Sequence, residues 1–272
     1  MTEAPMPVLH PVAIPVPGRA PMVFEVAEAG PGPFFSLGVR KSGSTLLHRI
    51  MGVLARRNGL HVVDVPGAFF QQGMTVADWM RCDLGPLLRP GNLHAGFRSF
   101  PGNIAQHPAF LAARKVFMHR DPRDALVSQY FSDAFSHGLP AAGAEAFERK
   151  RAAAQATALE TFVLEKARNL DRVLMACRPL LEDPNCLVLR YEEAVLAKRD
   201  MLARILAHFG WEFAPAEFEA LLAEVDEIPT EEDPRRFVRR VVPGDHREKL
   251  SPETIARLET GLAASMRAFG YA

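Results

Sequence analysis

The sequence predicts an α/β fold with a central, mostly parallel sheet flanked by helices. Short apolar segments rich in β-branched residues alternate with segments of helical periodicity, which is the pattern of βαβ units. A glycine-bearing loop separates the first strand from the helix that follows, and arginines mark a second junction of this kind. No internal repeat interrupts the pattern. The 272 residues, 48% of them hydrophobic, are enough for one large core.

The chain divides at residue 33 into a proline-rich segment and an α/β domain, residues 34–272. Eight prolines lie within residues 1–33. Because proline lacks the backbone N–H and fixes φ, this segment is predicted to be an extended arm. Its apolar residues would let the arm lie across the domain or link two copies of the chain as a homo-oligomer. A loose tail is the alternative.

The elements of the domain follow from the apolar pattern. Strands are expected at Phe34–Gly38, Leu60–Val65, Asn92–Gly96, Arg114–His119 and Cys186–Tyr191. Helices are expected after Gly43, from Pro122 with Asp121 as N-cap, over Gln155–Arg178, over Lys198–Phe209, over Ala216–Val225, and from Pro252 after Ser251. The charged, turn-rich stretch Pro229–Lys249 is predicted to be a long functional loop.

Composition restricts the possible partners and the compartment. Lys+Arg and Asp+Glu are equal at 32 each, so no global field favours nucleic acid, and any anion site must come from local clustering. Cys82, Cys177 and Cys186 lack C-x-x-C spacing, which argues against a disulfide framework or zinc site and favours a reducing, cytoplasmic location. The N-terminus has no signal-peptide pattern, and no apolar run reaches the roughly 20 residues of a membrane span.

The loop in Phe34–Ile50 has features of an anion site. Gly38 and Gly43 have P-loop spacing, and the loop leads into a helix N-terminus whose free N–H groups favour an anion. Ser44 stands where a nucleotide hydrolase needs lysine, and Lys41 lies inside the loop instead. The sequence therefore predicts a P-loop-like core that binds phosphate or sulfate. The groups expected at the anion are the charge of Lys41 and the hydroxyls of Ser42, Ser44 and Thr45.

A second phosphate could lie at the other strand-to-helix junction. Arg120 leaves the strand directly, and Ser128 follows eight residues later in the helix. The alternatives are a salt bridge from Arg120 to Asp124 or Glu192, and an ordinary helical position for Ser128. The arginine cluster at 235–240 suits a loop that folds over a phosphorylated ligand, although such a run is more often a solvated face.

Aromatic residues could form the walls of an acceptor pocket. Phe69, Phe70 and Trp79 lie in a loop-like stretch, and Phe131 and Phe135 follow the second junction. Ordinary core packing is the alternative for this group. The residues do not distinguish a lipid, a phenol, a glycosylated product or a carbohydrate as the acceptor.

Taken together, these segments resemble the sulfotransferases that use 3′-phosphoadenosine 5′-phosphosulfate (PAPS). GVRKSGSTLL is similar to the family's 5′-phosphosulfate loop, and HRDPRDALVSQYF is similar to its 3′-phosphate strand and helix. FVRRVVPGDHREKLSPE resembles the late loop that closes on the same 3′-phosphate, and LRYEE places Tyr191 at an adenine contact. The resemblance extends from Phe34 to the end of the sequence.

The resemblance implies in-line transfer of a sulfuryl group from PAPS to a hydroxyl or amine of a small-molecule, lipid or carbohydrate acceptor. Adenosine 3′,5′-bisphosphate (PAP) would leave, and no metal would be required. Lys41 would stabilise the leaving charge, and His94, expected at a strand tip, would be the general base. Asp64 and Asp83 are alternative bases, and a buried structural role is the alternative for His94. The implied cofactor-binding residues are Arg40, Lys41, Ser42, Gly43, Ser44, Thr45, Arg120, Ser128, Tyr191, Phe237, Arg239 and Arg240.

The chain departs from the family pattern at several positions. Leu46 and His246 stand where tryptophans are common, Val241 stands where the late loop has glycine, and Asn92 stands where a catalytic lysine often precedes the histidine. Two other functions stay open. A P-loop kinase or nucleotide hydrolase would need a Mg²⁺ carboxylate such as Glu192. A non-catalytic PAP-binding protein would need only the phosphate contacts.

Overall fold

The computed structural model describes residues 7–226, 229, 231–236 and 238–272. Its strands are β1 (Leu9–Ile14), β2 (Met22–Ala27), β3 (Phe34–Gly38), β4 (His61–Val63), β5 (Asn92–Phe97), β6 (Lys115–His119) and β7 (Cys186–Arg190). Within the described residues, β3 to β7 form one five-stranded sheet of order β4-β5-β3-β6-β7. All its pairings are parallel, whereas β1 and β2 pair antiparallel. The predicted α/β class and its parallel sheet are therefore confirmed.

The helices cover the sheet and connect its strands. They are α1 (Ser44–Arg57), α2 (Val65–Gln71), α3 (Val76–Trp79), α4 (Pro108–Ala112), α5 (Pro122–Phe131), α6 (Ala144–Gln155), α7 (Leu159–Cys177), α8 (Tyr191–Ala194), α9 (Lys198–Phe209), α10 (Pro215–Val225), α11 (His246–Lys249), α12 (Pro252–Gly261) and α13 (Ala263–Ala268). A π-helical turn, Ser132–Ser136, continues α5. Among the described residues, none of these helices has the length and apolar character needed to cross a bilayer.

Alternation along the inner strands divides the core into two halves. In β6, Phe117 packs with one apolar cluster, whereas its neighbours Val116 and Met118 pack with the other. Successive side chains of a strand point to opposite faces of the sheet, so these strands are apolar on both faces. Helices on both sides bury them. The carboxyl ends of the strands are left as the edge at which loops can build a site.

The proline-rich segment forms a hairpin where we expected an extended arm. β1 pairs with β2 along six residue pairs, and Ile14 and Phe24 are buried in the main core. The side chain of Asn92 fixes the hairpin by accepting from Ala27 N at 2.9 Å and donating to Ala27 O at 2.8 Å. Proline is tolerated in such an edge strand because its missing N–H faces away from the ladder. Asn92 is thus a structural residue of the hairpin contact.

The long helix expected over Gln155–Arg178 is wrong at its start. Helix α6 ends at Gln155, and a short break precedes α7 at Leu159. The apolar face of α7 is the periodic segment that the sequence shows. The break falls at residues 156–158, which contain no glycine or proline to mark a helix end in the sequence.

Candidate functional site

One cavity of ≈ 280 Å³ lies at the carboxyl edge of the sheet. The glycine loop, the second junction, the start of α8 and the late loop all contribute to its wall. The sequence-predicted residues that line it are Arg40, Lys41, Gly43, Ser44, Thr45, Arg120, Ser128, Tyr191, Arg239 and Arg240. The structure therefore brings together residues as far apart in sequence as Arg40 and Arg240. Phe237, also predicted at the site, lies outside the described residues.

The glycine loop has an unusual backbone. Lys41 has a φ of 67°, in the left-handed region that a non-glycine residue rarely adopts, and Gly43 has a φ of 83°. A Cβ at Gly43 would lie 2.7 Å from Cδ2 of Tyr191 and 2.9 Å from the sulfur of Met118. Glycine is therefore needed both for its backbone angle and for the close approach to Tyr191. Strained conformations of this kind are often found at functional sites.

Ser42 shapes the loop from inside. Its hydroxyl accepts from Val39 N at 3.0 Å and lies 2.6 Å from Val39 O and 2.9 Å from Met118 O. Its own N–H donates to Val39 O at 3.1 Å. The side chain is buried and does not line the cavity. The expected hydroxyl contact from Ser42 to an anion is therefore not favoured, because the loop backbone already engages that hydroxyl.

The N-terminus of α1 is open toward the cavity. Gly43 is its N-cap, with no side chain capping the first turn and no acidic residue within it. The first N–H groups of a helix have no intrahelical acceptor, and the helix dipole adds partial positive charge there. Ser44 and Thr45 line the cavity from this first turn. This end of the helix suits an anion.

Four cationic side chains lie in or beside the loop: Arg40, Lys41, Arg98 and Arg120. Burial, with the charges of Arg40, Arg120 and Arg98, lowers the pKa of Lys41 from 10.5 to about 8. Arg98 donates to the Thr45 hydroxyl at 3.3 Å, and burial lowers the pKa of its guanidinium. Arg40 also pairs with Asp133, which offsets part of this charge. An anion placed here would relieve the repulsion among these cations.

Arg120 is buried at the centre of the wall, with 5% of its surface exposed. Its guanidinium stacks over the Tyr191 ring at 4.3 Å and donates to Lys41 O at 3.4 Å. The expected alternative, an ion pair with Asp124, is present at 3.8 Å. Yet the Nε–H of Arg120 is buried and has no partner in the described part of the chain. A buried orphan donor is costly, which indicates that a ligand acceptor belongs here.

The late loop supplies two more arginines. Arg239 lies over the Phe131 ring at 4.3 Å and pairs with Glu232 and Asp245. Arg240 pairs with Glu248 at 2.6 Å and with Asp245 at 3.1 Å. Both arginines line the cavity, and both already have carboxylate partners.

Asp124 fixes the late loop to α5. Its carboxylate accepts from Gly244 N at 2.7 Å, from His246 N at 2.9 Å and from His246 Nδ1 at 2.6 Å. Burial acts to raise the pKa of Asp124, but these hydrogen bonds and the charge of Arg120 outweigh it and lower the pKa to about 2. His246 thus anchors the loop that carries Arg239.

His94 does not lie at a strand tip, and that expectation is wrong. It is the third residue of β5, is 1% exposed, and stacks on Phe35 with a centroid distance of 5.0 Å. Burial lowers its pKa to about 3, and it does not line the cavity. The strand continues to Phe97, three residues beyond the expected site. Sequence alone did not fix the length of this strand.

The two alternative bases also lie away from the cavity wall. Asp64 caps α2 by accepting from Gly67 N at 2.7 Å, and Asp83 is exposed and accepts from Gly85 N at 2.9 Å. Glu192, the carboxylate that a Mg²⁺-dependent enzyme would use, accepts from Asp121 N at 2.8 Å and does not line the cavity. Among the described residues, no three metal-ligating side chains form a group that could hold an ion.

Arg98 and His137 are among the cavity residues that the sequence pattern did not indicate. Arg98 follows the last residue of β5, and a correct strand end would have placed it at the site. His137 follows the π-helical turn, which no sequence pattern announced. Burial and the nearby Arg40 lower the pKa of His137 to about 4, with smaller contributions from Arg98 and Lys41. His137 is therefore a neutral imidazole beside the cations of the loop.

A smaller cavity of ≈ 70 Å³ adjoins the first, and both share Arg40 and His137. Phe147 lines the smaller cavity, and Phe70 meets His137 at 5.6 Å between ring centroids. Phe69 and Trp79, also considered for an acceptor pocket, are core residues with 0% and 1% of their surface exposed. Trp79 packs edge-on against Phe97.

Two comparisons with known proteins found similar proteins, and a third found none. Residues 101–215 match the model of the sulfotransferase family. Among solved structures, mouse sulfotransferase SULT7A1 complexed with PAP has a TM-score of 0.62 at 16% identity, covering 90% of this chain and 91% of that one. Retinol dehydratase in a complex with retinol and PAP has a TM-score of 0.57 at 16% identity, covering 88% and 82%. At these identities the likeness establishes the fold. A search of curated protein sequences finds no match.

Proposed function

We propose that this chain, a member of the sulfotransferase family by its residues 101–215 and by its fold, transfers a sulfuryl group from PAPS to an acceptor hydroxyl or amine. One observation carries the proposal. A single cavity joins the loop of Lys41 to the arginines of the second junction and the late loop, and the buried Nε–H of Arg120 faces no protein acceptor among the described residues.

The residues present fit the two anionic ends of PAPS. The open N-terminus of α1, with Lys41 and Thr45, suits the 5′-phosphosulfate. Arg120, Ser128 and Arg239 suit the 3′-phosphate, because guanidinium groups bind phosphate through parallel hydrogen bonds. PAPS would supply the activated sulfuryl group.

Lys41 and the first turn of α1 would stabilise the charge that develops on the leaving phosphate. Donors that act more strongly on the transition state than on the ground state raise kcat. Lys41 is held in a left-handed backbone conformation, so its side chain leaves the loop at a fixed place. These groups need no reorganisation during transfer.

His137 is the better placed base, in place of His94. The neutral imidazole lies where the two cavities meet, so an acceptor entering through the smaller cavity would approach beside it. The acceptor oxygen would form its bond to sulfur as its proton passes to His137, and the bond from sulfur to the PAP oxygen would break.

Thermal unfolding with PAP tests nucleotide recognition. PAP without Mg²⁺ should raise Tm, and Arg120→Ala should remove most of the shift. The matched variant Arg172→Ala, on the outer part of α7, should keep it. A Tm that rises with Mg-ATP but not with PAP alone would contradict the proposal and favour a kinase.

Labelled PAPS offered to acceptor classes, with products read by mass spectrometry, separates an enzyme from a PAP-binding protein. With an acceptor found, His137→Gln should lower kcat about 10²-fold or more while PAP affinity is kept. His10→Gln in the hairpin is the control. Near-normal kcat in His137→Gln would contradict the base role of His137 and assign it to another residue.

The remaining sequence predictions are part of this proposal. The three cysteines are free thiols, which supports a cytoplasmic location. A small-molecule, lipid or carbohydrate acceptor, the absence of a nucleic-acid partner and a homo-oligomer formed through residues 1–33 stay predictions. Size-exclusion chromatography with light scattering tests the last of these.

A further inference from the structure

Tyr271 lies outside the cavity, yet it contacts residues at the ends of β6 and β7, the two strands that lead to the cavity residues Arg120 and Tyr191. Its hydroxyl is 3.0 Å from Glu192 Oε2 and 3.0 Å from His119 Nδ1. The other oxygen of Glu192 accepts from Asp121 N at 2.8 Å. One tyrosine hydroxyl thus links the end of β6 to the start of α8.

Each of these residues is adjacent in sequence to a cavity residue. His119 and Asp121 flank Arg120, and Glu192 follows Tyr191. Arg120 and Tyr191 line the cavity and stack on each other at 4.3 Å. Their sequence neighbours bond elsewhere: His119 and Glu192 contact the Tyr271 hydroxyl, and Asp121 N donates to Glu192. The backbone that carries the Arg120–Tyr191 pair is therefore fixed from outside the cavity.

The segment that carries Tyr271 is itself held in place. Gly270 O accepts from the Arg190 guanidinium at 2.7 Å, and that guanidinium lies 4.6 Å from the centroid of the Tyr271 ring. Tyr271 N donates to Met266 O at 2.8 Å. Arg190 is the last residue of β7 and precedes Tyr191. The segment with Gly270 and Tyr271 therefore contacts Arg190 and Glu192, the residues on either side of Tyr191.

The protonation states determine which group donates and which accepts in each hydrogen bond of this network. Burial, aided by the charge of Arg190, lowers the pKa of His119 to about 4, so the ring is neutral at pH 7. The Nδ1–H of His119 can then donate to the Tyr271 oxygen, and the tyrosine hydroxyl donates to Glu192. Burial and Glu192 raise the pKa of Tyr271 above its usual value, which keeps that hydroxyl protonated. The Tyr271 hydroxyl, both oxygens of Glu192 and Nδ1 of His119 thus each have a hydrogen-bond partner.

We propose that Tyr271 is a positioning residue for the 3′-phosphate: acting through Glu192 and Asp121, it holds Arg120 and Tyr191 in the geometry that binds that phosphate. This inference rests on the proposed function. It gives Tyr271 a role in selecting nucleotides that carry a 3′-phosphate, because the network contacts the residues on either side of Arg120.

Calorimetric titration with two nucleotides tests the proposal. PAP carries a 3′-phosphate, whereas ADP carries both phosphates on the 5′ side. Tyr271→Phe should weaken PAP about tenfold, the loss expected when a hydrogen bond to a charged group is removed, and should leave ADP unchanged. Glu192→Gln should have the same selective effect, and the double variant should lose little more than either single variant.

Tyr130→Phe is the matched control, because the Tyr130 ring packs against the rings of Phe131, Phe135 and Phe162 and against the apolar core. Thermal unfolding without nucleotide checks each variant. Equal losses for PAP and ADP, or unchanged PAP affinity in both Tyr271→Phe and Glu192→Gln, would overturn the inference. A wild-type protein that binds PAP no better than ADP would instead contradict the proposed function. The two failures are therefore distinguishable.

Discussion

At the scale of single residues, Lys41 combines three unusual properties. Its backbone is left-handed, its side chain is half-buried, and the charges of Arg40, Arg120 and Arg98 act on its ammonium group. Each property has a cost in the ligand-free protein, and an anion at the α1 N-terminus reduces the electrostatic part of that cost. The site is therefore organised for an anion before any ligand arrives.

Lys41→Ala should lower kcat about 10²- to 10³-fold, because a preorganised donor to the leaving charge is removed. PAP should still bind through the arginines of the second junction and late loop. Single-turnover transfer from labelled PAPS measures the first effect, and calorimetry measures the second. Lys166→Ala on α7 is the control. A variant that loses PAP binding in proportion to turnover would assign Lys41 to ground-state binding alone.

The pH dependence of PAP binding follows from the same residue. Burial and the charges of Arg40, Arg120 and Arg98 lower the pKa of Lys41 to about 8, whereas Asp133 acts to raise it. Bound phosphate favours the protonated amine and raises that pKa again. PAP affinity should thus fall as pH rises through about 8, by at most about tenfold per pH unit, with proton uptake on binding.

Calorimetry in two buffers of different ionisation enthalpy would measure this proton uptake. Lys41→Met should abolish the uptake near pH 8. An unchanged uptake in that variant would place the titrating group elsewhere.

At the scale of elements, the junctions between strands and helices carry the site. The β3–α1 loop depends on a residue without a side chain at position 43, since the ring of Tyr191 and the sulfur of Met118 fill the space where a Cβ would be. The first turn of α8 therefore sets the shape of a loop that lies about 150 residues earlier in the chain.

Gly43→Ala should lower both stability and PAP affinity. The φ of 83° costs about 1 kcal/mol for alanine, and the contact of 2.7 Å with Tyr191 adds to this cost by displacing the ring. Gly18→Ala is a matched control, because Gly18 has a φ of 71° and no atom within 4 Å of the added Cβ. Denaturant unfolding and PAP titration measure the two effects. Equal destabilisation of both variants, with PAP binding kept, would contradict the role of the contact.

The sequence predicts those features that depend on local pattern. Strands β3, β6 and β7 are short apolar runs with clear ends, so the loop of Lys41 and the position of Arg120 were predicted. The role of Ser42 and the location of His94 were not. Ser42 turns inward because of Met118, which is distant in sequence, and β5 continues through Gly96, a residue that usually suggests a strand end.

At the scale of the whole molecule, the late loop is joined to the sheet by Asp124. Position 124 lies in α5, and its partners Gly244 and His246 are 120 and 122 residues away. The contact anchors the late loop, whose Arg239 and Arg240 line the cavity. Sequence analysis assigned Asp124 only as a salt-bridge partner for Arg120, because such a long-range contact leaves no local pattern.

Asp124→Asn should destabilise the protein by about 2 kcal/mol at neutral pH, since one pKa unit corresponds to about 1.4 kcal/mol. The folded pKa of Asp124, about 2, lies below its ordinary value of 3.8. Its stabilisation is therefore complete above about pH 4 and is lost as pH falls toward 2. Urea unfolding at several pH values measures this. Asp200→Asn, at an exposed position on α9, is the control. An Asp124→Asn variant whose stability depends on acid pH as the wild type's does would contradict this role of Asp124.

The carboxylates that accompany Arg239 and Arg240 have a consequence for the reaction cycle. Glu232, Asp245 and Glu248 already neutralise these guanidinium groups before a nucleotide arrives. Binding is then an exchange of one anion for another, and its net free energy is smaller than the phosphate contacts alone would provide. In the proposed reaction, the same carboxylates would pair with the arginines again after transfer, which would let the product nucleotide dissociate quickly.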